Sequence, residues 1–215
     1  MLKIIAGEYR SRKLLSPPDG EITRPYPQRV KESVFNLLGK WFDGARVLDL
    51  FAGVGTVGLE AVSWGAEKVL MVERDRGIFR LLKRNIETLD CDDRATAMCG
   101  DALGAACLAR APRPVDLVFI DPPYPMMLDQ LQRQRVLNQV IQCRGVMADE
   151  GFVILRSPMG PDEADLSIEG FLGPEDHEYG RGMWVLLYEP GSKSERPAEE
   201  PAEGEDQEAA DGRSG

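Results

Sequence analysis

Two hydrophobic periods alternate along the chain. Short apolar runs of buried-strand length recur as RVLDL at 46–50, KVLMV at 68–72, ATAMC at 95–99, VDLVFI at 115–120, GFVIL at 151–155 and MWVLLY at 183–188. Between them apolar positions fall three and four apart, which predicts helices over 57–64, 75–89, 103–110 and 128–143. A further helix is expected over 29–42, with Val30, Val34, Leu37, Leu38 and Trp41 on its buried face. Strands alternating with helices of this length predict an α/β fold, a mostly parallel sheet with helices on both faces. Ligands on such sheets bind beyond the carboxyl ends of the strands, so the residues after each strand are the candidates for chemistry.

The first strand runs through Asp49 and Phe51 into Gly53, Gly55 and Gly58, a G-x-G-x-x-G turn, and Glu73 ends the second strand 20 residues after Gly53. That pattern alone fits a nicotinamide or flavin dinucleotide, or simply a tight turn between strand and helix. Asp49 tilts the choice, because a carboxylate before the loop repels a pyrophosphate and suits the ammonium and sulfonium of S-adenosylmethionine. After the third strand, Asp101 is placed to accept the amino group of an adenine, although Asp is also a common helix N-cap.

The fourth strand ends in Asp121, Pro122, Pro123 and Tyr124. Two prolines fix φ and remove two amide donors, leaving a stiff corner that offers carbonyl oxygens, a carboxylate and an aromatic ring. Such a corner is a receptor for an exocyclic NH₂: two acceptors hold its hydrogens while the ring stacks on a flat base. A conjugated amine is weakly nucleophilic, and holding both hydrogens orients its lone pair without a strong base. The plainer reading is a strand-ending turn.

Composition narrows the class. At 215 residues, with 43% hydrophobic and 29% charged, the chain reads as a soluble globular protein. No apolar run reaches the roughly 20 residues that cross a bilayer, and the start reads as no secretory signal. Cys91, Cys99, Cys107 and Cys143 have no C-x-x-C spacing and His177 is the one histidine, so buried free thiols in a reducing cytoplasm are expected, with no metal. A net charge of −10 argues against nucleic acid until it is located. Residues 190–215 carry eight acidic against three basic side chains, with no large apolar residue, and are expected to be disordered. Residues 1–40 carry eight basic against four acidic, a net +4, which suggests a local polyanion contact or simply a solvated face.

Taken together, the motif around Asp49, Glu73, the Gly100-Asp101 pair and the Asp121 to Tyr124 corner resemble the successive motifs of class I S-adenosylmethionine-dependent amino-methyltransferases. IIAGEYRSRKL at 4–14, Thr23-Arg24-Pro25 and RVKESVFN at 29–36 resemble, more specifically, the RsmD-type methyltransferases, which methylate guanine N2 in 16S ribosomal RNA. The similarity runs from about Leu2 to Tyr188. It implies a Rossmann-like seven-stranded, mostly parallel sheet with an antiparallel last strand, a basic N-terminal hairpin extension over 1–28, a methyltransferase domain over 29–189 and the acidic tail over 190–215. It implies that Asp49, Phe51, Gly53, Gly55, Glu73, Arg74, Asp101 and Ala102 hold S-adenosylmethionine, and that Asp121, Pro122, Pro123 and Tyr124 are catalytic. Lys3, Arg10, Arg12, Lys13, Arg24 and Arg29 are then expected on RNA phosphates. The partner is ribosomal RNA or an assembling small ribosomal subunit, with a cytoplasmic, monomeric enzyme. Tyr26-Pro27 departs from the threonines usual in the family after Arg-Pro.

Other readings start from the same residues. The D-P-P-Y corner also serves adenine N6 in DNA and amino groups of protein side chains, but about 40 residues before the fold are few for reading a long DNA site. A dinucleotide-dependent oxidoreductase lacks an obvious hydride-relay histidine or lysine. A binding module with a decayed site would be expected to have lost at least one of these motifs.

Overall fold

The computed structural model describes residues 2–17 and 27–191. All six apolar runs form strands: β1 (Arg46–Leu50), β2 (Lys68–Glu73), β3 (Ala95–Cys99), β4 (Val115–Ile120), β5 (Met147–Ser157) and β7 (Trp184–Pro190). They join in one seven-stranded sheet of order β3-β2-β1-β4-β5-β7-β6, where β6 is Phe171–Glu178. The pairs from β3 across to β5 are parallel, and β7 is antiparallel to both neighbours. No run in the sequence marked β6. It is an edge strand whose residues are all exposed or half-buried, with Gly173 and Pro174 in its middle and three acidic residues after them, so it carries no apolar period.

The period of two along each strand sorts the core into two layers. Val47, Val69, Met71, Leu117, Phe119 and Ile154 point to one face, against α1 (Gln28–Leu38), α2 (Gly58–Ser63) and α3 (Arg76–Leu89). Leu48, Leu50, Leu70, Val118, Ile120 and Leu155 point to the other, against α4 (Ala105–Arg110), α5 (Tyr124–Leu128) and α6 (Gln130–Cys143). The helices start where their sequence gives a cap. Asp75 accepts the amides of Gly77 and Ile78 to open α3, and Asp129 accepts that of Gln132 to open α6.

Three local expectations need correction. The helix expected over 29–42 stops at Leu38 and continues as a 3-10 turn, Gly39–Phe42, with Gly39 at φ 41°. That break changes the buried face: Phe35 and Phe42 stack inward at 4.4 Å, while Leu37 and Trp41 are exposed. Tyr124 lies in no loop; it is the first residue of the short helix α5, which Pro123 caps. Cys91, Cys107 and Cys143 are buried free thiols, but Cys99, at the last position of β3, is exposed. Among the described residues no helix is long and apolar enough to cross a membrane.

Residues 2–17 are pinned to the body by polar contacts. Lys3 and Lys13 form an antiparallel bridge, and Ile4 and Leu14 enter the same core as α1 to α3. The fully buried Glu60 on α2 accepts the amides of Ile5 and Ala6, the Trp64 indole N–H and the Lys31 ammonium at 2.8 Å. Lys31 also donates to the carbonyl of Thr56 in the glycine turn at 3.1 Å. Glu60 therefore joins the N-terminal segment, α1 and α2, and through Lys31 the glycine turn. Removing it leaves the buried Lys31 ammonium without its counter-charge and takes the acceptor from two amides and an indole N–H. Glu60→Ala is expected to cost about 3–5 kcal/mol in urea unfolding, far more than removal of an exposed acid such as Glu87.

Candidate active site

The reversal of strand order lies between β1 and β4, and the sequence-derived motifs meet there. Asp49 and Phe119 are register partners on the layer facing α1 to α3. Continuing that alternation puts Glu73 at the end of β2, Asp121 just past β4 and Arg156 on β5 on the same face. Three carboxylates and one arginine thus share one edge of the sheet.

Each carboxylate is held by what its loop supplies. Asp49 is 1% exposed and accepts the Gly58 amide, at the start of α2, at 2.9 Å. Burial, with Asp121 and Glu73 nearby, pushes its pKa up to about 8. Glu73 accepts the amides of Gly53 at 3.0 Å and Asp75 at 2.7 Å, which fixes the glycine turn to the end of β2. Asp121 lies 2.5 Å from Arg156 Nε in an ion pair. Burial raises the Asp121 pKa to about 6, and the Arg156 charge acts against that rise. The Arg156 guanidinium also stands 5.5 Å from the Tyr124 ring centroid. One side chain thus contacts both Asp121 and Tyr124 of the D-P-P-Y corner. The sequence reading missed Arg156, although a lone arginine at the end of the apolar run FVIL was the available signal.

The remaining motif residues divide by geometry. A Cβ on Gly53 (φ 58°) would meet nothing within 4 Å, so its turn faces open space. A Cβ on Gly55 would come within 2.5 Å of Leu82 on α3, so this glycine serves close packing between turn and helix. Phe51 holds a positive φ of 64°, a strained conformation for a bulky residue and typical of a functional turn. Arg74 and Asp101 are exposed and Ala102 is buried. Asp101 accepts the amide of Leu103 at 3.0 Å in a local turn, and it does not cap α4, whose N-cap is Gly104. The Tyr124 hydroxyl is buried with no hydrogen-bond partner among the described residues.

The basic residues do not converge on this edge. Ser63 ends α2, Thr88 lies in the last turn of α3 and Arg94 precedes β3, so all three sit toward the amino ends of the strands. Residues 8–12 bind there: the Glu8 N–H donates to the Ser63 carbonyl, the Tyr9 hydroxyl accepts from Arg94, and Arg12 donates to the Thr88 carbonyl. Arg10 and Arg12 therefore lie on the far end of the helical layer from Asp121. Arg29 is exposed in the first turn of α1, two residues from Lys31 and its contact with the glycine turn. Arg24 and Tyr26 lie outside the described residues, as does the acidic tail from residue 192.

The donor set fits a cationic nucleoside. Glu73 and Asp49 flank a turn open above Gly53, and the net negative edge favours a sulfonium and opposes a pyrophosphate. Among the described residues no group of three or more His, Cys, Asp or Glu side chains is placed to hold a metal ion.

Sheet order and site together define a Rossmann-like methyltransferase fold. The chain belongs to the family described as Conserved hypothetical protein 95, whose model matches residues 2–187, the family of the RsmD-type methyltransferases. It is 35% identical to ribosomal RNA small subunit methyltransferase D of Escherichia coli over 159 residues, 73% of this chain and 74% of that one. To the protein of the same name in Haemophilus influenzae it is 38% identical over 124 residues, 57% of this chain and 64% of that one. The solved structure of the Escherichia coli protein yhhF, 29% identical, matches 88% of this chain and 98% of that one with a TM-score of 0.73.

A carboxyl group with a raised folded-state pKa favours folding at low pH, and that advantage is lost as pH rises through the folded value. Asp49→Asn is expected to match the parent in thermal stability near pH 4 and to exceed it by a growing margin up to about pH 8. A constant difference in melting temperature across that range would show that Asp49 does not titrate as described.

Proposed function

We propose that the protein transfers a methyl group from S-adenosylmethionine to the exocyclic N2 amine of a guanine in small-subunit ribosomal RNA. The observation that carries this reading is the meeting, at the β1–β4 reversal, of the carboxylate-lined turn with the proline-locked corner of Asp121 to Tyr124. Membership of the RsmD-type family supports it.

When bound, S-adenosylmethionine supplies an electrophilic methyl on a positively charged sulfur. Asp49 and Glu73 would hold the cationic and ribose portions, and the Gly53 turn gives backbone access to them. Tyr124 stacks on the guanine, while the Asp121 carboxylate and the Pro122 carbonyl accept the two amine hydrogens. That grip turns the nitrogen lone pair toward the methyl carbon. The cofactor held by Asp49 and Glu73 would supply the methyl group to that nitrogen and leave as the neutral thioether. The nitrogen then sheds one proton to the Asp121 carboxylate, which releases it to water. Arg156 keeps that carboxylate ionised against the cost of its burial.

Nucleoside mass spectrometry of small-subunit ribosomal RNA incubated with the enzyme and S-adenosylmethionine is expected to show N2-methylguanosine. N6-methyladenosine in its place would overturn the reading. Asp121→Ala is expected to lower kcat about 10²–10³-fold with little change in cofactor affinity. Tyr124→Ala should weaken base positioning by about 1–3 kcal/mol. Because the ionised carboxylate accepts an N–H more strongly than the neutral acid and alone can take up the proton, the parent rate should fall below about pH 6. Arg156→Met should move that acid limb to higher pH.

A further inference from the structure

The outward face of α3 carries a charge pattern that neither the fold nor the site uses. Arg76, Arg80, Lys83 and Arg84 are all exposed on it, with Glu87 the one acidic residue within the helix. Among the described residues none of these four forms an ion pair. The arrangement is unfavourable for the helix itself. Arg76 stands in the first turn, where the helix dipole opposes a cation, and Arg76, Arg80 and Arg84 repeat like charge at intervals of four. In a chain of net charge −10, such a stripe stands out.

The stripe is continuous with other cations at both ends. Arg74, exposed just past β2, joins it to the edge that holds Glu73. At the other end Arg12 donates to the Thr88 carbonyl at 3.0 Å, and Leu15 exchanges hydrogen bonds with Asn85 at 2.7 and 3.2 Å. Residues 12–15 therefore run back along α3, and the bridge between Lys3 and Lys13 sets both lysines beside it.

We propose that this face, from Arg74 along α3 to Lys13, is a docking track for the phosphate backbone of the RNA whose base enters the Asp121 corner. The proposal rests on the RNA methyltransferase reading above. Successive arginines at four-residue intervals stand about 6 Å apart along the axis, and guanidinium forks suit phosphate oxygens. The outward positions lack the bulky apolar side chains with which an amphipathic helix enters a lipid surface. A track of this kind reads backbone and not sequence. It also gives the basic N-terminal segment a role although it lies away from the reacting edge.

The test compares the parent with the exposed triple variant Arg76→Gln, Arg80→Gln, Arg84→Gln. A second triple variant, Lys40→Gln, Arg110→Gln, Arg135→Gln, removes the same charge from other surfaces. Binding to in vitro transcribed small-subunit ribosomal RNA and to an unrelated RNA duplex is followed by fluorescence anisotropy from 50 to 300 mM salt. The α3 variant is expected to lose about two to three from the slope of log K against log salt on both RNAs. Its KM for RNA should rise at least tenfold, while kcat at saturating RNA and S-adenosylmethionine affinity match the parent and the melting temperature does not fall. An unchanged slope, or an equal loss in the second variant, overturns the track and leaves the catalytic reading intact. Loss of binding to phosphatidylserine vesicles but not to RNA also overturns it. A parent that binds neither RNA overturns both.

Discussion

Three carboxylates and one arginine share a single buried edge where β1 and β4 part, and most of the site follows from that imbalance. Ionising all three acids without a counterion is costly in a poorly solvated place, so burial raises Asp49 and Asp121 well above the ordinary carboxylate range. Arg156 offsets the cost for Asp121 alone. The uncompensated remainder faces the glycine turn, and that is where a sulfonium is favoured and a phosphate is not.

The edge is held by contacts that reach through the body. Glu73 closes the glycine turn against β2, and the Asp49 carboxylate ties β1 to the first amide of α2. Lys31 carries the support outward, since the same ammonium bonds the glycine turn and the Glu60 carboxylate that pins residues 5 and 6. The N-terminal segment is thus coupled to the glycine turn through two buried charges.

Much of the fold was legible because the relevant signals are local. The apolar runs placed the strands, and apolar positions three and four apart placed α3 and most of α6. What misled was also local: Leu37 and Trp41 fit a continuous helix, but Gly39 broke it, and the stacked rings of Phe35 and Phe42 took the core instead. β6 was invisible because an edge strand with no buried residue carries no apolar period, its formation depending on backbone pairing with β7 and not on burial.

The sequence by itself determined which chemical groups the site contains, since Asp49, Glu73 and the proline-locked corner each lie beside a strand whose end is written in its own apolar run. Only the tertiary structure decided how those groups compensate one another. Arg156 follows Asp121 by 35 positions, Glu60 follows Ile5 by 55, and residues 12–15 reach α3 across some 70, distances over which no sequence period carries information. The reason is physical: a charge is legible locally as a charge, but its pKa and its partner are set by burial and by neighbours that only the folded sheet brings within reach.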